Sequence, residues 1–240
     1  MTRRTARRVG VMGGTFDPIH NGHLLAASEA AWRCNLDEVV FVPAGRPVFK
    51  LDRDVAPAED RYAMVALAIA DNPRFSLSRV DIDRGGVTYT VDTLRDLRAA
   101  RPDDKLFFIA GTDAIAQASR WKDAEQLPKL ARFIAVTRPG KTMSADSDTV
   151  AAANFTAATG PQALAGTATA ASALPATPFG LPGSDVTSVP IPAFGVSSTM
   201  LRERVRRGLP IDYLTPAAVA RYIAGHGLYR GCGTSPEVSR

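Results

Sequence analysis

Strand-length apolar runs take turns with segments of helical period all the way from Val9 to Val136, and this alternation constrains the fold more than any other feature. It predicts a strand over Val9 to Met12, a helix from about His23 to Arg33, a strand over Glu38 to Val42 and a helix over Glu59 to Ala70. The series continues with a strand at Phe75 to Val80, a helix from Val91 to Ala99, a strand at Lys105 to Ile109, a short helix after Gly111 and a strand at Arg132 to Val136. The expected fold class is therefore α/β: a Rossmann-like, mostly parallel sheet with helices on both faces and a small C-terminal helical portion. Ligands of such sheets bind beyond the carboxyl ends of the strands.

From about Lys141 to Ser184 the composition changes to Ala, Thr, Ser, Gly and Pro, with no Arg or Lys after Lys141 and only Phe155 and Phe179 as aromatics. A stretch of this kind buries little and costs much to order, so it reads as a flexible insertion, in which alanine favours one helix around Val150 to Ala158. Order is expected again at Val186 to Ile191, a strand, followed by Ser197-Ser198 capping a helix whose last turn carries Arg206 and Arg207 before Gly208. A final helix has Thr215 as N-cap, Pro216 at its first position, an apolar stripe of Val219, Tyr222 and Ile223, and Gly225 at its end. One principal domain over 9–230 is expected, with flexible tails at 1–8 and 231–240.

Composition excludes several classes of function. No apolar run approaches the roughly 20 residues of a spanning helix, and the Arg-rich start lacks the apolar core of a signal peptide, so a soluble cytoplasmic protein without a membrane partner is expected. Cys34 and Cys232 are the only cysteines and suggest neither a disulfide framework nor a Cys-based metal site. The isoelectric point near 9.5 is a local effect. Without Arg3, Arg4, Arg7 and Arg8 the formal charge falls from +5 to +1, so no specific nucleic-acid partner is implied.

The run Gly13-Gly14-Thr15-Phe16-Asp17-Pro18-Ile19-His20-Asn21-Gly22-His23 follows the first strand and opens the first helix. Its leading glycines let the backbone turn tightly and aim amide N–H groups outward, and Gly22 leaves room for a ring. His20 and His23, three residues apart where a helix begins, can face one phosphate chain together, helped by the positive end of the helix dipole. The same pair also reads as a helix cap with a half-buried histidine, or as two zinc ligands, although a third ligand is not evident: His226 is the only other histidine.

With these residues the chain resembles the nucleotidyltransferases that carry the HxGH signature, and among them the bacterial nicotinate-nucleotide adenylyltransferases. Four further segments carry the resemblance. Val42-Pro43-Ala44-Gly45-Arg46-Pro47-Val48-Phe49-Lys50 is similar to the family's loop with a phosphate-binding lysine, which implies that role for Lys50 and brings in Arg46, against the plain reading of a solvated basic loop. Asp81 to Thr90, followed by Asp92-Thr93-Leu94, resembles the element that receives the nicotinate ring and carboxylate through Thr88 and Tyr89; a hairpin and helix cap would look alike. Ala110-Gly111-Thr112-Asp113 with Trp121 downstream implies that Gly111 and Asp113 hold nucleotide groups and that Trp121 stacks on a pyridine ring, although tryptophan is also a common core residue. Val196-Ser197-Ser198-Thr199-Met200-Leu201-Arg202 resembles the family's ISSTxIR signature, where Ser198, Thr199 and the helix N-terminus cradle phosphates and Arg202 offers a fork of donors.

The resemblance implies transfer of the adenylyl group of ATP to nicotinate mononucleotide, giving deamido-NAD and pyrophosphate. His20, His23, Lys50 and Arg202 are the expected catalytic residues, with Gly13, Gly14, Thr15, Phe16, Gly22, Ser198 and Thr199 around ATP. Mg²⁺ is expected on the substrate phosphates rather than in a protein cage, since Asp17 is the only carboxylate near the motif and also reads as a turn former. The alternatives are adenylylation of nicotinamide mononucleotide or another phosphate acceptor, and a module that senses nucleotides or binds nucleic acid without catalysis. The segment Gly45 to Asp54 is the expected lid.

Overall fold

In chain order the elements are β1 (Arg8–Gly14), α1 (Asn21–Arg33), β2 (Glu38–Pro43), β3 (Arg46–Pro47), α2 (Ala58–Ile69), β4 (Phe75–Leu77), α3 (Val80–Arg84), β5 (Val87–Thr88) and α4 (Thr90–Ala100). They continue with β6 (Lys105–Gly111), α5 (Thr112–Ile115), α6 (Leu127–Leu130), β7 (Arg132–Thr137), β8 (Val186–Pro190), α7 (Ser198–Arg206) and α8 (Ala217–Gly225). The structure, a computed structural model, describes residues 5–48, 55–137 and 185–230. Lys50, the 141–184 segment with its expected helix, Cys232, the rest of 231–240 and most of the expected lid lie outside the described residues.

Six strands form one sheet in the order β4-β2-β1-β6-β7-β8, and every pairing is parallel. Parallel strands need crossovers, so helices must cover the sheet, and the strands must be apolar on both faces. The period of two sorts them accordingly. Val39, Phe41, Phe107, Ile109, Ile134 and Val136 join one buried cluster with residues of α1, α2, α7 and α8. Their neighbours Val40, Val42, Leu106, Phe108, Phe133 and Ala135 join a second, with residues of α4, α5 and α6. Burial of each large apolar side chain contributes about 1.5–3 kcal/mol before entropy is counted, which makes the sheet the rigid frame of the site. Among the described residues no helix is long and apolar enough to cross a membrane.

Three expectations are corrected at element ends. The strand expected over Phe75 to Val80 stops at Leu77 and Val80 opens α3. The Ser78 amide makes the last bond toward β2, to Phe41 O, and the Ser78 hydroxyl accepts from the Val80 amide and turns the chain, so Val80 reaches the second cluster from a helix. α1 starts at Asn21, two residues before the expected His23, because His23 itself closes the helix end: its Nδ1 accepts from the His20 amide, the place glutamate takes in a capping box. Thr215 is not the N-cap of α8, whose cap is Pro216; the buried Thr215 hydroxyl donates instead to Ile19 O at 2.8 Å. That buried carbonyl needs a donor, and the hydroxyl serves it in preference to the helix end.

Candidate active site

In the sheet, the chain moves outward from β1 through β2 to β4, then returns to β6 beside β1 and proceeds the other way. The switch point therefore lies between β1 and β6, where diverging connections leave a crevice at the carboxyl edge. The run after β1 and the Gly111 to Asp113 turn after β6 both open onto it.

The glycines at the end of β1 and the start of α1 serve close packing. A Cβ on Gly14 would stand 3.0 Å from the Phe16 ring, and one on Gly22 would stand 3.0 Å from Val196 and 3.1 Å from the His20 ring. Phe16, with φ of 49°, is buried and meets His23 edge-on at 5.1 Å, so its ring belongs to the core and a ligand would meet its backbone. Thr15 contributes its carbonyl to Arg61. His20 is 2 % exposed and stacks on the half-buried His23, with centroids 3.7 Å apart and planes at 21°. Because His23 Nδ1 accepts from the His20 amide, a neutral ring carries its proton on Nε2, which makes that edge a donor.

The loop entering α7 and its first turn close on this run. Ser197 caps α7 by accepting from the Met200 amide at 3.2 Å. Ser198 Oγ donates to Pro18 O at 2.9 Å, which ties the helix start to the motif. Arg202 donates from Nη1 to Asp17 O at 2.7 Å, and the same nitrogen lies 3.6 Å from Asp17 Oδ2; Nη2 reaches the exposed Thr199 hydroxyl at 3.4 Å. Asp17, 1 % exposed and followed by a cis peptide bond to Pro18, also accepts from the Ala56 amide and the Tyr229 hydroxyl.

A second group forms where β3 pairs with β5, Arg46 opposite Val87 and Pro47 opposite Thr88. The Gly45 amide donates to Thr88 Oγ1 at 3.1 Å, so the Arg46 loop and the Thr88-Tyr89 segment are one unit. Tyr89 caps α4 by position, and its ring lies 4.7 Å beneath Lys122 Nζ. Beneath this unit Asp81 is buried, accepts from Thr93 Oγ1 and pairs with Arg84 at 2.6 Å. Burial pushes its carboxyl above the ordinary range, while the Thr93 and Arg84 bonds pull against that rise. Trp121 is half-buried with its ring edge-to-face on Phe108 at 5.9 Å, so one side of the indole is held by the core. Gly111 and Asp113 are exposed at the end of β6.

At Gly45 a Cβ would meet Asp81 O at 2.6 Å, against backbone that cannot yield. We therefore expect Gly45→Ala to lower stability by roughly 1–3 kcal/mol, read as a lower urea midpoint at unchanged slope; an unchanged midpoint would show that the two segments can separate without cost.

Sequence reasoning missed Arg61, which is 1 % exposed and donates to four carbonyls: Ala56, Thr15, Ala44 and Gly45, at 2.8, 2.9, 2.6 and 2.9 Å. It binds the turn after β1 to the loop after β2. A signal was present, since Arg61 precedes the buried Met64 and Val65 by three and four positions and so lies on the apolar face of α2. Tyr229 was missed as well, and nothing local marks it. Of the expected site residues, His20, His23, Ser198, Thr199 and Arg202 converge on the run after β1, and Arg46, Thr88 and Tyr89 form the second unit.

A family model described as cytidylyltransferase-like matches residues 11–204. A probable nicotinate-nucleotide adenylyltransferase of Leifsonia xyli subsp. xyli is 50% identical over 230 residues, 96% of this chain and 98% of the relative. One of Streptomyces coelicolor is 51% identical over 220 residues, 92% of this chain and 100% of the relative. Among solved structures, the Plasmodium falciparum nicotinic acid mononucleotide adenylyltransferase complexed with NaAD superposes with a TM-score of 0.68 at 16% identity, over 93% of this chain and 97% of that one, which shows a shared fold. The chain belongs to the cytidylyltransferase-like family and, within it, to the nicotinate-nucleotide adenylyltransferases.

Proposed function

We propose that the crevice between β1 and β6 binds ATP and nicotinate mononucleotide together and joins them. An oxygen of the mononucleotide's 5′-phosphate bonds to the α-phosphorus of ATP, the bond from that phosphorus to the β-phosphate bridge breaks, and pyrophosphate leaves deamido-NAD behind. The observation that carries this reading is the meeting of two imidazoles at the N-terminus of α1 with the Arg202 guanidinium of α7 on one loop. The relatives at half identity, named for this adenylyl transfer, support it.

A phosphate monoester, with a second pKa of about 6, is already largely ionised at neutral pH, so the attacking oxygen needs no strong base. Alignment and neutralisation of charge are the protein's tasks. His20 and His23 act as donors to the phosphates, Lys50 and Arg202 hold the chain and the departing pyrophosphate, and the backbone of Gly13 to Phe16 borders the nucleotide. Thr88, Tyr89, Gly111, Asp113 and Trp121 hold the mononucleotide, with the indole against its ring. Mg²⁺ is part of the ATP substrate: the Asp17 carboxylate is already held by Tyr229 and the Ala56 amide, and Mg²⁺ readily keeps water and phosphate oxygens as ligands.

A substrate panel with pyrophosphate release as the readout tests the reading. With ATP, nicotinate mononucleotide is expected to support turnover, and at limiting concentration to exceed nicotinamide mononucleotide by about tenfold or more, the size of one charge-assisted hydrogen bond. Equal use of the amide would remove the acid from the assignment, and turnover with neither would remove the reaction.

A further inference from the structure

We infer that Tyr229 is a positioning residue for adenylyl transfer: its hydroxyl tethers the Asp17 carboxylate and so keeps Arg202 available to ATP. The inference rests on the reading of Arg202 as a phosphate ligand. Tyr229 lies beyond α8, 212 residues from Asp17, and donates to Asp17 Oδ1 at 2.7 Å. The same oxygen accepts from the Ala56 amide at 3.2 Å, six residues past Lys50. Two donors thus hold Oδ1, and Oδ2 is left at 3.6 Å from Arg202 Nη1, a loose ion pair rather than a two-pronged one. The Arg202 nitrogen spends its short bond, 2.7 Å, on the Asp17 carbonyl. Its remaining donors are not claimed by the carboxylate.

Asp17 is almost wholly buried, so water cannot take over the tether. Burial, with the Asp17 charge behind it, pushes the Tyr229 hydroxyl far above its ordinary range, and it remains a donor throughout the working pH range. Tyr229 also keeps a backbone φ of 63°, which an L-residue adopts seldom and only when its surroundings hold it there. Without the hydroxyl, Oδ1 retains one donor and the carboxylate can swing onto the guanidinium, where it competes directly with the phosphates.

Steady-state kinetics of Tyr229→Phe, Arg202→Ala and the double variant test this. Tyr229→Phe is expected to raise KM for ATP about tenfold, the scale of one hydrogen bond to a charged group, with little change in kcat and with KM for nicotinate mononucleotide inside about twofold of the parent. In the Arg202→Ala background the same change is expected to add nothing. A Tyr229→Phe change that lowers kcat with KM for ATP unmoved, that raises KM for both substrates alike, or that adds in full to Arg202→Ala, would reveal a merely structural hydroxyl and overturn the inference. If Arg202→Ala leaves ATP use untouched, the phosphate role of Arg202 falls, and the inference falls with it. A further check uses Asp17→Asn, whose amide carries no charge to compete. There Tyr229→Phe should leave KM for ATP within about twofold, and a full tenfold rise would also overturn it.

Discussion

Replacing His23 by alanine is expected to lower turnover at saturating substrates by at least about 100-fold, the loss seen when one preorganised donor to a developing oxyanion is removed. The geometry shows why this ring and not only its charge matters. His23 Nδ1 is occupied by the His20 amide, which fixes the tautomer with its proton on Nε2, and the ring is held between His20 at 3.7 Å and Phe16 at 5.1 Å. A donor fixed in this way needs no reorganisation as charge builds on the phosphates. The substitution also removes the His23 half of the capping box at α1, whose N-cap is His20, at a cost of about 1 kcal/mol, so circular dichroism melts must accompany the kinetics. Near-parental turnover in a folded variant would end the assignment of His23 to the phosphates. If the effect were a rise in KM alone, the ring would serve binding in the ground state as much as in the transition state.

Arg61→Ala is expected to destabilise the chain by about 3–5 kcal/mol, because truncation leaves four carbonyls of three connecting segments without their donor. Measured against the usual 5–15 kcal/mol for a whole domain, that is a large fraction of the total. Burial holds the Arg61 guanidinium below its ordinary range, with the Asp17 and Tyr229 groups opposing that fall, yet it remains charged at any working pH. Arg61→Lys should recover little, since one ammonium cannot span acceptors on Ala56, Thr15, Ala44 and Gly45 as a planar fork does. Urea unfolding gives the value, and a loss under about 1 kcal/mol would mean that the carbonyls find other donors.

Both predictions concern residues that a reading of the chain sees unequally. His23 stands out because its bonding is local: the imidazole caps a helix end three residues away, and the glycines before it declare the turn. The Ser197 cap of α7 was visible for the same reason, its partner Met200 being three residues on. Trp121 was harder. Tryptophan serves a ligand and a core alike, and only the fold brings Phe108, from the buried strand β6, edge-to-face against its ring. Thr215 was misplaced because Thr-Pro ahead of an apolar stripe is a good local cap, and the competing acceptor, Ile19 O, is 196 residues away.

The amino-acid sequence alone determined the alternation of strands and helices, the parallel sheet that this alternation demands, and the glycine turn that leads from β1 to α1. Each depends on periods of 2 or 3.6 residues or on caps within one helical turn, so neighbouring residues carry the whole signal. Only the tertiary structure decided which side chains grip that turn. Arg61 reaches Thr15 across 46 residues, Ser198 reaches Pro18 across 180 and Tyr229 reaches Asp17 across 212. Contacts at such separations exist once loop closure and sheet order have brought the segments together, and no local pattern encodes them.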